Sequence, residues 1–180
     1  NGAKQNFEYA FIVIHGTPGE DGKLQSYFDM IGIPYNTSSA AITSLTFQKF
    51  HCNQFLKNFG VNVAEAVLIK PDDEINEGEI LKKVGLPCFV KPTDGGSSFG
   101  VSKVKSKEEL NNAVKSAFKH GSEVIVEAHI EGREVTNGVY RDDEGVKVLP
   151  ITEIISDNEL KISSDELRVE PIENSDKSSL

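Results

Sequence analysis

The apolar residues of this chain come in short runs, the longest at residues 10–14 (AFIVI), and these runs alternate with stretches whose apolar residues recur at helical spacing. A helix that crosses a membrane needs about 20 apolar residues, so nothing here suggests a membrane partner. Alternating strand-length and helix-length segments are the grammar of a mixed α/β chain. Residues 7–14 read as a buried strand, and 15–22 (HGTPGEDG) are turn chemistry. Residues 23–31 place Leu24, Tyr27, Phe28 and Ile31 at helical spacing, with Gly32 to close the helix. Strand, glycine loop and helix form one α/β unit. A parallel sheet needs several, so the expectation is the second half of a Rossmann-like domain, residues 1–45, lacking its front.

From residue 46 the pattern changes. Residues 44–60 carry Leu45, Phe47, Phe50, Phe55, Leu56 and Phe59 and predict a helix capped by Thr46 and ended by Gly60. Residues 61–69 read as strand, 76–84 as a helix closed by Gly85, 86–90 as strand, 91–100 as a glycine-serine loop and 101–104 as strand. Ser106 with Glu109 has capping-box spacing and starts a helix that buries Leu110, Val114, Ala117 and Phe118, with Gly121 as its stop. Residues 123–128, 134–140 and 146–155 read as strands, the last two turned at 143–145. This order predicts an α+β lobe with an antiparallel sheet over residues 46–155. The segment 156–180, rich in Ser, Asp, Glu and Asn, reads as irregular. Asn1 is not a natural start, and the sequence is expected to be a fragment or to have stretches left out.

The net charge is −9 with lysines interleaved among acids, which argues against nucleic acid as a partner. No secretory leader is visible, and Cys52 and Cys88 lie in apolar surroundings without metal spacing. Reduced core thiols in a cytoplasmic protein are the expectation.

Three constellations are candidates for chemistry. Gly95, Gly96 and Gly100 permit close backbone approach, Ser97 and Ser98 add hydroxyls, and Lys91 and Lys103 flank the loop. Such a loop can hold phosphates, and it can equally be a hairpin with no ligand. His15 and Glu20 sit after a strand, where α/β sheets place ligands; the same residues also make a capped surface turn. Glu127, Ala128, His129, Ile130 and Glu134 lie at a connector whose backbone groups and carboxylates can take a base amine and ribose hydroxyls, or stand as solvated strand ends. Lys49 by itself reads as a solvent-facing lysine.

Taken together, HGTPGEDGKLQS (15–26), GIPYNTSSAAITSLTFQK (32–49), FVKPTDGGSSFGVSKV (89–104) and VIVEAHIEGREVTNGV (124–139) resemble, in order and spacing, the D-alanine–D-alanine ligases of the ATP-grasp superfamily. The resemblance implies a cytoplasmic enzyme of peptidoglycan synthesis that uses ATP and magnesium and joins two D-alanines through an acyl phosphate. It implies Lys49 and Lys91 on phosphate, with Gly96, Ser97, Ser98 and Gly100 as the loop. It assigns Glu127 to the adenine amine, Ala128, His129 and Ile130 to the base, and Glu134 to ribose. His15 and Glu20 would place the first D-alanine, with Ser97 orienting the reacting end. A homodimer is compatible with it. No magnesium ligand is identified, and the C-terminal lobe is largely absent. Another ATP-grasp carboxylate–amine ligase, or a non-catalytic nucleotide-binding fragment, is the alternative.

Overall fold

The structure is a computed structural model that describes residues 6–94, 99–156 and 167–171, the backbone alone for Ser156 and the last segment. The chain divides into two compact units, Asn1–His129 and Ile130–Leu180.

The first unit opens with a strand-like run that does not become a strand. Ala10 forms a single parallel bridge to Tyr35, its N–H donating to the Pro34 carbonyl at 2.9 Å. The next rung is made by a side chain. Ile12 N–H donates to Asn36 Oδ1 at 2.7 Å, and Asn36 Nδ2 donates to the Ile12 carbonyl at 3.2 Å. Alternation survives, with Ala10 and Ile12 buried and Phe11 and Val13 exposed.

Helix α1, Lys23–Ile31, ends at Gly32 in the left-handed region (φ 71°) as expected. The single helix expected over 46–60 is two, α2 at Ala40–Phe47 and α3 at Lys49–Lys57. Thr46 does not cap; its hydroxyl donates back to the carbonyls of Ile42 and Thr43 at 3.0 and 3.1 Å. The break at Gln48 (φ −90°, ψ 95°) has a tertiary cause: Lys49 N–H donates to the Thr93 carbonyl at 3.0 Å. A distant strand end thus sets the start of α3.

Strands β1 (Ala66–Ile69), β2 (Cys88–Pro92), β3 (Ser102–Val104) and β4 (Val124–Ala128) form one sheet in the order β1-β4-β2-β3, and its pairs are all antiparallel. Helix α4, Glu77–Val84, is capped by Asn76, whose side chain accepts from Glu79 N–H. Helix α5, Lys107–Ala117, buries Leu110, Val114 and Ala117 as expected. The expected capping box does not form: Ser106 makes no side-chain cap, and the Glu109 carboxylate accepts instead from Lys105 N–H at 2.8 Å. Ile80, Val84, Leu110, Val114 and Ala117 meet Cys88, Val90, Val104, Val124 and Val126 in one core. Because side chains alternate along a strand, the core-facing residues of β2 and β4 leave Phe89, Lys91, Ile125 and Glu127 on the opposite face. That face carries the candidate chemistry.

The second unit is a three-stranded meander. Strand β5 (Val135–Asp142) pairs with β6 (Gly145–Ser156), and β6 pairs with β7 (Leu167–Pro171). The β5–β6 turn falls at Asp143 and Glu144, with Asp142 Oδ1 accepting from Glu144 N–H at 2.9 Å. Strand β7 lies inside the segment expected to be irregular. Its pairing with β6 provides the order that its short, charged sequence does not advertise.

Candidate functional site

The site is built on the sheet face opposite α4 and α5. Lys91 on β2 and Glu127 on β4 project from it, and the Lys91 ammonium engages Glu127 Oε2 in an ion pair whose side chains are only 23% and 14% exposed. The second Glu127 oxygen, Oε1, accepts from Asn53 Nδ2 on α3 at 3.0 Å. Lys49 opens the same helix, and its main chain is fixed to Thr93. Burial lowers the affinity of Lys49 for its proton, and the positive charge of Lys91 lowers it further, against the pull of Asp94 and Glu127. Two half-buried lysines and two carboxylates thus gather in one charged cluster, with Lys91 already paired to Glu127.

Thr93 is the joint of this arrangement. It is fully buried, its N–H donates to the Glu123 carbonyl at 3.0 Å, and its carbonyl takes Lys49 N–H. Beside it, Asp94 Oδ1 is buried with no hydrogen-bond partner among the described residues, while Oδ2 accepts from Ser122 Oγ at 3.4 Å. Gly121 is squeezed here, since a Cβ would lie 2.5 Å from Asp94 Oδ1 and 2.7 Å from Pro92 Cβ. At the other end of the loop, Gly100 has φ +74°, and a Cβ would come within 2.8 Å of His120 Cδ2. The Phe99 ring stacks on His120 at 6.5 Å. The glycine-serine loop therefore leaves and re-enters the fold against one turn, residues 120–122. Gly96, Ser97 and Ser98 lie outside the described residues.

Lys103, which flanks the loop on β3, is half-buried. Its Nζ sits 5.7 Å from the centroid of the Phe89 ring, and Phe89 pairs in register with both Lys103 and Glu127. His129, just after β4, brings its ring to 5.6 Å from Phe89, with Ala128 before it on the strand. Ile130 and Glu134 belong to the second unit. There the Glu134 carbonyl accepts from Ile154 N–H at 2.8 Å, and Arg133 forms a two-point ion pair with Glu153 at 2.9 and 3.1 Å.

His15 and Glu20 share a cluster within the glycine turn. Glu20 Oε2 accepts from Gly16 N–H at 2.6 Å and lies 3.8 Å from His15 Nδ1. Glu20 thus supports its own turn. Gln25, fully buried, holds that turn from below, donating to the Gly19 carbonyl at 2.7 Å and to Thr37 Oγ1 at 2.9 Å. Asn53 and Thr93 escaped the sequence reading. Asn53 carries a faint signal, four residues after Lys49 on one helix face; Thr93 carries none.

Among the described residues no group of three or more His, Cys, Asp or Glu side chains is placed to hold a metal ion. No helix there is long and apolar enough to cross a membrane.

Comparison with known proteins identifies the fold and then the family. Residues 15–139 carry the motif order described above, and the fold matches solved ligases of the ATP-grasp type. One is the VanG D-Ala:D-Ser ligase of Enterococcus faecalis, with a TM-score of 0.75 and 36% identity over 84% of this chain and 44% of that one. Another is the Bacillus anthracis D-alanine–D-alanine ligase complexed with ATP, with a TM-score of 0.77 and 28% identity over 93% of this chain and 52% of that one. The family models for the D-ala D-ala ligase C-terminus and N-terminus match residues 55–164 and 1–38, and the chain belongs to the D-alanine–D-alanine ligase family. A relative in Phocaeicola vulgatus, a D-alanine–D-alanine ligase, is 50% identical over 159 residues, 88% of this chain and 49% of the relative. The chain spans about half the length of the curated relatives it matches.

Proposed function

We propose that the protein is an ADP-forming D-alanine–D-alanine ligase, and that this chain carries most of its nucleotide site. What supports the reading is Lys91 on β2 beside the start of α3, where Lys49 is tied to the Thr93 carbonyl and its proton is loosened by burial and then by the Lys91 charge. A polyphosphate relieves that repulsion. One D-alanine carboxylate oxygen attacks the γ-phosphorus of ATP and ADP leaves, giving a D-alanyl phosphate. The amine of a second D-alanine then attacks the acyl carbon, inorganic phosphate leaves, and the amine gives up a proton. Lys49 and Lys91 stabilise the charge that moves along the phosphates. The loop of Gly96, Ser97, Ser98 and Gly100 would supply N–H and hydroxyl donors, with Ser97 orienting the reacting end. Glu127 takes the adenine amine once Lys91 turns from it to phosphate. Ala128, His129 and Ile130 line the base, and Glu134 receives the ribose hydroxyls. His15 and Glu20 help place the first D-alanine.

Magnesium would screen the phosphates when bound with ATP. The described side chains do not supply a cluster for it, and the roles above belong to lysine, carboxylate and backbone groups. The domain boundaries we propose are 1–45, 46–155 and 156–180. We also propose a homodimer; the lack of a nucleic acid partner fits the acidic charge, and a cytoplasmic location fits the free thiols Cys52 and Cys88.

D-serine as second substrate is a competing reading, raised by the likeness to the VanG enzyme at 36% identity, below the 50% to the Phocaeicola vulgatus relative. The test is phosphate release by the whole protein with ATP and D-alanine, then with D-serine added in competition. D-alanyl-D-alanine as the main product supports the first reading, and D-alanyl-D-serine the second. No release with either amino acid overturns both.

A further inference from the structure

Glu127 spends both carboxylate oxygens within the protein: Lys91 holds Oε2 and Asn53 Nδ2 holds Oε1 at 3.0 Å. The two donors are not equivalent. Lys91 is a charge that a polyphosphate competes for, whereas the Asn53 amide is neutral and has no reason to leave. Its orientation is fixed by chemistry, because an ionised carboxylate only accepts and the amide NH2 must face it. Its place is fixed by α3. That helix is tied to β2 through Lys49 N–H on the Thr93 carbonyl at 3.0 Å, and Asn53 stands one turn further along the same face. A carboxylate oxygen has room for a second hydrogen bond, so the Asn53 contact leaves Glu127 able to accept from a ligand.

We propose that Asn53 is a positioning residue for nucleobase recognition: it keeps the Glu127 carboxylate aimed when Lys91 has turned to phosphate, and so sets the preference for a base bearing an exocyclic amine. The inference rests on the reading of Glu127 as the amine acceptor.

The experiment compares kcat/KM for ATP and for inosine triphosphate, which lacks that amine, in the whole protein. Wild type should prefer ATP. Asn53→Ala should reduce the ATP-to-inosine-triphosphate ratio by about tenfold, the loss of one hydrogen bond to a charged group. The change should appear as a higher KM for ATP, with the KM for D-alanine unmoved. Asn53→Asp has the same size and packs in the same space. It turns the donor into a repelling carboxylate, so it should lose the preference at least as far, and it serves if Asn53→Ala folds poorly. Glu127→Ala separates the two levels of the argument. If Glu127→Ala keeps the wild-type ratio, the amine-acceptor reading falls and the role of Asn53 with it. If Glu127→Ala loses the ratio while both Asn53 variants keep it, only the role of Asn53 falls.

Discussion

The lysines of the site differ in ways their sequence neighbours hide. Lys91 leaves a strand whose alternate residues are buried in the core, so its ammonium starts from a rigid point. Lys103 lies over the Phe89 ring, a contact that a phosphate does not need. Lys91→Ala should therefore raise the dissociation constant for ATP by about ten- to a hundredfold, the value of a charge-assisted contact. Lys103→Ala should raise it far less. Calorimetric titration of both variants distinguishes them, and equal losses would move the phosphate site toward Lys103. Lys49 makes a different prediction. Its proton is held less tightly than an ordinary lysine's, by burial first and then by Lys91. A depressed base costs stability while it is charged in the fold, and that penalty is relieved as pH rises from its folded value to the ordinary lysine value. Polyphosphate favours the charged form, so ATP affinity should fall as pH rises through the window just below the ordinary lysine range. Binding there should take up a proton, read as a binding enthalpy that varies with the ionisation enthalpy of the buffer. Lys49→Arg, which stays charged, should abolish that dependence.

At the scale of elements, helices α1, α4 and α5 and the sheet strands were legible because each is announced locally. Apolar residues repeat at the right period, and Gly32, Gly85 and Gly121 follow the helices. The misreadings have tertiary causes. The helix expected to start at Thr46 breaks at Gln48 because Thr93, far along the chain, takes the Lys49 N–H. The strand expected over 7–14 is reduced to one bridge because the Asn36 amide supplies what a strand neighbour would. Strand β7 needs β6 to exist. The site was half legible. Its lysines and Glu127 are proposed from family motifs, whereas Asn53 and Thr93 enter through contacts that only the folded chain creates. The core behind the site should behave conventionally. Leu110 is fully buried between α5 and the sheet, and Leu110→Ala should destabilise the protein by about 2–5 kcal/mol in denaturant titrations. The thiols offer a second check. Cys88 is fully buried, and burial raises its thiol pKa, while Cys52 is half-buried. Iodoacetamide should label Cys52 in the native protein and Cys88 only after unfolding, as peptide mass spectrometry would show. Rapid native labelling of Cys88 would contradict the packing of β2 against α5.

For the molecule as a whole, a sheet with two different faces suits the proposed reaction, which is mostly charge management. One face is sealed by α4 and α5 and supplies rigidity. The other presents lysines and a carboxylate under α3. Most of the catalytic effect proposed for this chain would be positioning and electrostatic stabilisation, which is what such a face can deliver. The most direct measurement is turnover by the whole protein with ATP and D-alanine, following ADP, phosphate and the dipeptide together, in wild type and in Lys91→Ala. The account predicts one ADP and one phosphate for each D-alanyl-D-alanine formed, release that depends on D-alanine, and a marked loss of ATP affinity in the variant. Phosphate release that does not depend on D-alanine, or a variant that binds and turns over ATP as well as wild type, would contradict it.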